Sequence, residues 1–237
     1  MWRKDEMVSS QDRPDWLSAR GMSEKALDIE SQSFQIIDKE VGSHNYSPVE
    51  WLIVRRVIHA TADFDFARGA KIIFHNEALS SGFGAMRKRC TIVTDVEMVL
   101  SALSKSSLTR LGLSSVCHIS DKELIDMSRT LNKTRSQLAM RVASEQMNGG
   151  IVLIGNAPTA LAETIKMINE GTARPSLVVG IPVGFVSASE SKQALSETDI
   201  PYITNIGRKG GSPAASSIMN ALMLLAQQNS GTDLANK

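Results

Sequence analysis

The residues with the most chemical promise lie in Ser47-Pro48-Val49-Glu50-Trp51-Leu52-Ile53-Val54-Arg55-Arg56-Val57-Ile58-His59-Ala60. His59 carries the side chain that gains or loses a proton near neutral pH. It stands near the end of an expected helix, one turn past Arg55 and Arg56. The helix C-terminus would favour its protonated form, and the arginines would oppose it. An imidazole balanced in this way suits acid catalysis. A histidine on a helix is more often packed or solvated than catalytic, so the stretch needs support from elsewhere in the chain.

Three loops rich in small residues add anion chemistry. Gly155-Asn156-Ala157-Pro158 precedes a helix, and its free backbone N–H groups would seat a carboxylate or phosphate. Pro182-Val183-Gly184-Phe185-Val186 runs on to Glu190-Ser191-Lys192. Lysine in a helix's first turn opposes the dipole, which points to use on a ligand anion. In Gly207-Arg208-Lys209-Gly210-Gly211-Ser212-Pro213, Gly210 and Gly211 would let backbone approach a ligand. Any one such loop is common in α/β proteins. Three at one edge, carrying Lys192, Arg208 and Lys209, point to a large anionic ligand. Arg135, within Asn132-Lys133-Thr134-Arg135-Ser136, can pair with a ligand carboxylate or stand in water.

Several chemistries lack their motifs. There is no G-x-x-x-x-G-K-[ST], no G-x-G-x-x-G after an early strand and no G-x-S-x-G. His44, His59, His75 and His118 are scattered, so no metal site is expected.

The elements that must position these residues follow from periodicity. Ser47 caps the helix at Pro48, and Glu50 completes a capping box. Val49, Leu52, Ile53, Val57 and Ala60 form its apolar stripe. Ser23 to Val41 reads as an earlier helix ended by Gly42, and Ala62-Asp63-Phe64-Asp65-Phe66 reads as alternation. Strands are expected at 90–94, 115–119, 151–155, 177–181 and 201–205, with Lys71–Phe74 a weak sixth candidate. Helices are expected between them, including a long one from Asp121 to Met147, and a last one from Pro213 to Gln227. Apolar strands alternating with helices predict a three-layer α/β/α fold around a mainly parallel sheet of about five strands. Ligands then bind at the carboxyl edge of the sheet.

The chain has 237 residues, 42% hydrophobic and 22% charged, with a net charge of +1. This balance suits one globular domain and marks no general nucleic-acid binder. No apolar run is long enough to span a bilayer. Cys90 and Cys117 stand outside any metal pattern, so reduced thiols and a cytoplasmic setting are expected. Residues 1–24 read as a loosely ordered extension with a short helix around Trp16. Residues 25–227 read as the α/β domain and 228–237 as a polar tail.

Taken together, the motifs resemble the precorrin-8X methylmutases of the cobalamin pathway. The matching pieces run in that family's order: Ser33-Phe34-Gln35-Ile36-Ile37, Arg56-Val57-Ile58-His59-Ala60, Thr94-Asp95-Val96-Glu97-Met98, Thr134-Arg135-Ser136, Ile154 to Leu161, Pro182 to Val186 with Glu190-Ser191-Lys192, and Gly207-Arg208 with Gly210-Gly211-Ser212. They span roughly residues 28 to 225.

The resemblance implies an isomerase that moves a methyl group from C-11 to C-12 of a corrin precursor without an added cofactor. The precursor is precorrin-8X or its cobalt-loaded form, giving hydrogenobyrinic or cobyrinic acid. The resemblance places the catalytic histidine on His59 and substrate contacts on Ser33 and Arg135. Ser136, Asn156, Lys192, Arg208, Gly210 and Gly211 are the remaining candidate contacts. It also implies a Rossmann-like fold and a homodimer. The run after His59-Ala60 is closer to the cobalt-using branch, and Gln32 stands where some relatives have arginine. Two other functions fit an α/β sheet: an S-adenosylmethionine-dependent methyltransferase, disfavoured by the absent glycine-rich first turn, and a non-catalytic corrinoid carrier.

Overall fold

The structure, a computed structural model, describes residues 23–232. The expected helix around Trp16 lies outside them. Six strands form one sheet in the order β1-β6-β5-β4-β2-β3. They are β1 (Ile72–Phe74), β2 (Thr91–Thr94), β3 (Ser114–Cys117), β4 (Ile151–Ile154), β5 (Leu177–Gly180) and β6 (Tyr202–Asn205). The expected parallel strands all form. The weak candidate also forms, as an antiparallel edge strand pairing Ile73 with Thr204. Three residues carry too little periodicity to announce a strand.

Strand residues alternate between two cores, which is why these runs are apolar throughout. Ile151 and Leu153 of β4 face one core, and Val152 and Ile154 face the other. The first core is covered by α1 (Glu24–Val41), α2 (Pro48–Thr61), α3 (Ala78–Arg87), α4 (Glu97–Ser101), α5 (Lys105–Leu111) and α11 (Ser212–Thr232). The second lies under α6 (Glu123–Leu131), α7 (Arg135–Val142), α8 (Ser144–Met147), α9 (Pro158–Asn169) and α10 (Ala188–Ser196). The result is a three-layer α/β/α sandwich with both sheet faces buried.

The local signals explain most boundaries. The Ser47–Glu50 capping box is formed in both directions, at 2.8 and 3.4 Å. The buried face of α2 is Ile53, Val54, Val57 and Ile58, so the expected stripe was rotated: Val49 and Ala60 are exposed. Residues 64–67 form a single 3-10 turn in place of alternation. The long helix expected from Asp121 to Met147 is three helices. Asn132 takes a left-handed conformation (φ 49°) that ends α6, and Thr134 with Gln137 builds a second capping box that starts α7. Arg135 therefore opens a helix at the sheet edge. The last helix runs on to Thr232, five residues past its expected end at Gln227, into the stretch expected as a polar tail.

Candidate active site

The α2 helix carries its chemistry on the side facing α1. Glu30, Phe34 and Asp38 repeat every four residues along α1 and meet Arg55, Arg56 and His59. Arg55 bonds Asp38 at 2.8 Å and Arg56 bonds Glu30 at 3.3 Å. Both guanidinium groups lie over the Phe34 ring, at 4.4 and 5.3 Å from its centroid. The His59 ring meets the same phenyl edge-on, with centroids 5.2 Å apart. The arginines expected to oppose a protonated His59 are thus each paired with a carboxylate. Phe34 is buried while His59 is exposed. The ring therefore fixes the imidazole from behind and leaves it open to a ligand. Ser33 is half-buried, its hydroxyl donating to the Ile29 carbonyl at 2.8 Å.

Ala60, the residue after His59, lines a cavity of about 280 Å³ with Met98, Ala102, Ser212, Pro213 and Ser216. Ser212 and Pro213 begin α11, just past the β6 carboxyl end. The α2 C-terminus thus reaches the edge where the sequence places the ligand loops.

The β6–α11 loop presents Arg208 there, exposed, with its guanidinium 5.7 Å from the centroid of the exposed Phe185 ring. The loop is held from three sides. The Lys209 ammonium donates to Asp63 and Asp65 at 2.7 Å each, which ties the loop to the end of the His59 helix. Partial burial pushes the Asp63 carboxyl up, but the Lys209 ammonium and the Asp65 N–H hold it below its ordinary value. Gly211 donates to the Ile181 carbonyl at 2.9 Å, and Gly210 leaves no room for a side chain against Ile181 and Pro182. What the missing side chain of Gly210 admits is therefore the protein's own backbone.

Lys192 departs from its expected use. Its ammonium is turned inward, donating to Asn205 Oδ1 at 3.1 Å and to the Lys209 carbonyl at 2.6 Å. It is 1% exposed and braces the Arg208 turn from beneath. Burial lowers its pKa from 10.5 to about 8. The folded chain thus holds this proton less tightly than the unfolded chain, which binds more protons between those two values. The contribution of Lys192 to stability therefore rises as pH climbs from 8 to 10.5. Melting curves of wild type and Lys192→Met across that window are expected to diverge in favour of wild type.

Two further expectations change. The N–H groups of Gly155, Asn156 and Ala157 are already satisfied by the Asp95 carboxylate. Ser136 is buried, its hydroxyl 2.9 Å from that of Thr159. That contact brings the start of α7 beside the start of α9. Arg135 and Asn156, both exposed, accordingly stand at the same sheet edge, on the layer opposite α2. The structure thus leaves His59, Arg135, Asn156 and Arg208 at the carboxyl edge with accessible atoms, keeps Ser33 half-buried along α1, and turns Ser136 and Lys192 inward.

Lys209, expected among the charges that meet a ligand anion, is paired with Asp63 and Asp65 instead; Phe34, Asp63 and Asp65 had no assigned role in the sequence. A search for charges placed to answer Arg55 and Arg56 at four-residue spacing would have found Glu30 and Asp38, with Phe34 between them. Among the described residues, no group of three or more His, Cys, Asp or Glu is placed to hold a metal ion, and no helix is long and apolar enough to cross a membrane.

Comparison with known proteins gives a consistent result. The family model described as Precorrin-8X methylmutase matches residues 28–225. A cobalt-precorrin-8 methylmutase of Leptospira interrogans is 44% identical over 217 residues, covering 88% of this chain and 98% of its own. One from Priestia megaterium is also 44% identical, covering 84% and 87%. A solved precorrin-8X methylmutase from Thermus thermophilus superposes with a TM-score of 0.78 at 39% identity, covering 85% of this chain and 96% of that one.

Proposed function

Because the chain belongs to the precorrin-8X methylmutase family, isomerases of cobalamin biosynthesis, we propose that it moves a methyl group from C-11 to C-12 of a corrin precursor, with His59 as the proton donor. The carrying observation is the exposed imidazole of His59, braced by Phe34 near the end of a helix whose next residue, Ala60, lines an apolar cavity. Protonating the macrocycle draws electron density from the ring and lowers the barrier to migration. The methyl leaves C-11 as it bonds to C-12, and the imidazole recovers a proton from the product. Atoms and charge are conserved, so positioning and one proton are what the protein supplies.

Arg135, Arg208 and the Asn156 side chain hold the peripheral carboxylates, and Ser33 approaches the ring from the His59 side. The two relatives above named for a cobalt substrate, at 44% identity, support a precursor that already carries cobalt. The same reading makes the enzyme a cytoplasmic homodimer. Free Cys90 and Cys117 support the first part, and the exposed Phe185 and Val186 offer an apolar surface for the second.

The test uses precorrin-8X carrying a labelled C-11 methyl, in metal-free and cobalt-loaded forms. Many turnovers, unchanged mass and the label at C-12 are expected. A gain in mass with S-adenosylmethionine would make the chain a methyltransferase. Conversion of at most one equivalent would make it a carrier. Arg208→Ala is expected to raise KM by about 10- to 100-fold with kcat nearly unchanged, the scale of a lost bond to a charged group. Initial-rate kinetics check it.

A further inference from the structure

Asp95 stands one residue past β2 and is 0% exposed. Its carboxylate accepts from the N–H groups of Gly155 at 3.1 Å, Asn156 at 2.8 Å and Ala157 at 2.7 Å. Burial raises this carboxyl above its ordinary value, and the three donors offset only part of that rise. The strand order gives the place its meaning. From β2 the chain goes on to β3 on one side and then to β4 on the other. Open α/β sheets bind ligands at such a divergence, with anions on the N–H groups that begin the following helix. Here that seat is filled from within.

The turn that Asp95 holds faces two ways. Behind it, a Cβ on Gly155 would come within 2.9 Å of Ser212 and 3.0 Å of Ala215 and Val99. Ser212 lines the cavity next to Ala60. In front, Asn156 is exposed, and Thr159 meets Ser136 beside Arg135. One buried carboxylate therefore sets Asn156 and the start of α9 against the layer that carries His59.

We propose that Asp95 is a positioning residue for the methyl shift: an internal anion in the ligand's usual place at the sheet's divergence, which presets the Gly155–Ala157 turn and so fixes Asn156 against the corrin precursor. This rests on the isomerase reading above. It also means that the precursor's carboxylates reach Arg135, Arg208 and the Asn156 amide side chain, and not the backbone N–H groups of the turn.

Asp95→Asn keeps the shape but turns an NH2 toward one of the three donors. The variant is expected to raise KM for precorrin-8X by about 10- to 100-fold, with kcat nearly unchanged. Asn156→Ala is expected to raise KM as well, and the double variant to be no worse than the larger single one. An unchanged KM in Asp95→Asn, or additive losses, overturns the proposal. If Asp95→Asn does not fold, amide exchange in the wild-type chain decides. The Gly155, Asn156 and Ala157 N–H groups are expected to exchange slowly without ligand. Fast exchange that slows only once the rearranged product is bound overturns the preset turn. A wild-type chain that leaves both precorrin-8X and its cobalt-loaded form unchanged would defeat the isomerase reading itself. An active wild type with an unaltered Asp95→Asn defeats only the role of Asp95.

Discussion

Replacing His59 with alanine is expected to lower kcat on precorrin-8X by about 10²- to 10⁴-fold, the range that a positioned acid contributes. Binding should survive, because the carboxylate contacts assigned to Arg135, Arg208 and Asn156 come from other elements. Stability should survive as well. The imidazole is exposed, and Phe34 keeps its contacts with Arg55 and Arg56. A surface change of this kind costs within roughly 0.5 kcal/mol. Steady-state kinetics, an absorbance titration with the rearranged product and a melting curve separate the three effects. Wild-type turnover in His59→Ala would remove the imidazole from the chemistry.

Gly210→Ala is expected to give the second large effect, through the backbone. The added Cβ would overlap the Ile181 carbonyl oxygen and sit 2.9 Å from the carbonyl carbon and oxygen of Pro182. These atoms belong to the segment that follows β5 and cannot rotate away as a side chain would. The loop must lift, stretching the bond from the Gly211 N–H to the Ile181 carbonyl. Overpacking of this kind costs about 1–3 kcal/mol, and in a chain of this size Tm falls by roughly 2–4 °C per kcal/mol. Arg208 rides on the same loop, so KM should rise about tenfold, one Arg–carboxylate contact's worth. Gly149→Ala is the control. Gly149 has φ +70° with nothing within 4 Å of its Cβ position. Its strain should lower Tm without touching KM. A Gly210→Ala variant with unaltered KM would show that the loop does not bear on substrate.

The sheet was legible because β2, β4, β5 and β6 are short runs buried on both faces, bounded by turn residues. The Ser47–Glu50 box placed the start of the His59 helix for the same reason: its signal is local. What failed to show was whatever depends on a partner far along the chain. The free N–H groups before Pro158 look like a ligand's seat until Asp95, 60 to 62 residues earlier, is found in it. Lys192 looks like a ligand's counter-ion until its ammonium is found under Lys209. The break at Asn132 is the exception, since the T-x-x-Q box that starts α7 is a local signal. The apolar period ran across it and hid it.

The bridge from Lys209 to Asp63 joins positions 146 residues apart, and α2 lies along α11. At ribosomal speeds of 5–20 residues per second, Asp63 waits roughly 7–30 s for its counterpart to be made. Until α11 emerges, the apolar face of α2 has α1 beside it but lacks the helix that packs along it most extensively. The packing around the His59 helix is therefore completed only once residues 212–232 are made, and a chain that stalls before residue 212 would hold every strand yet lack the helix laid along α2.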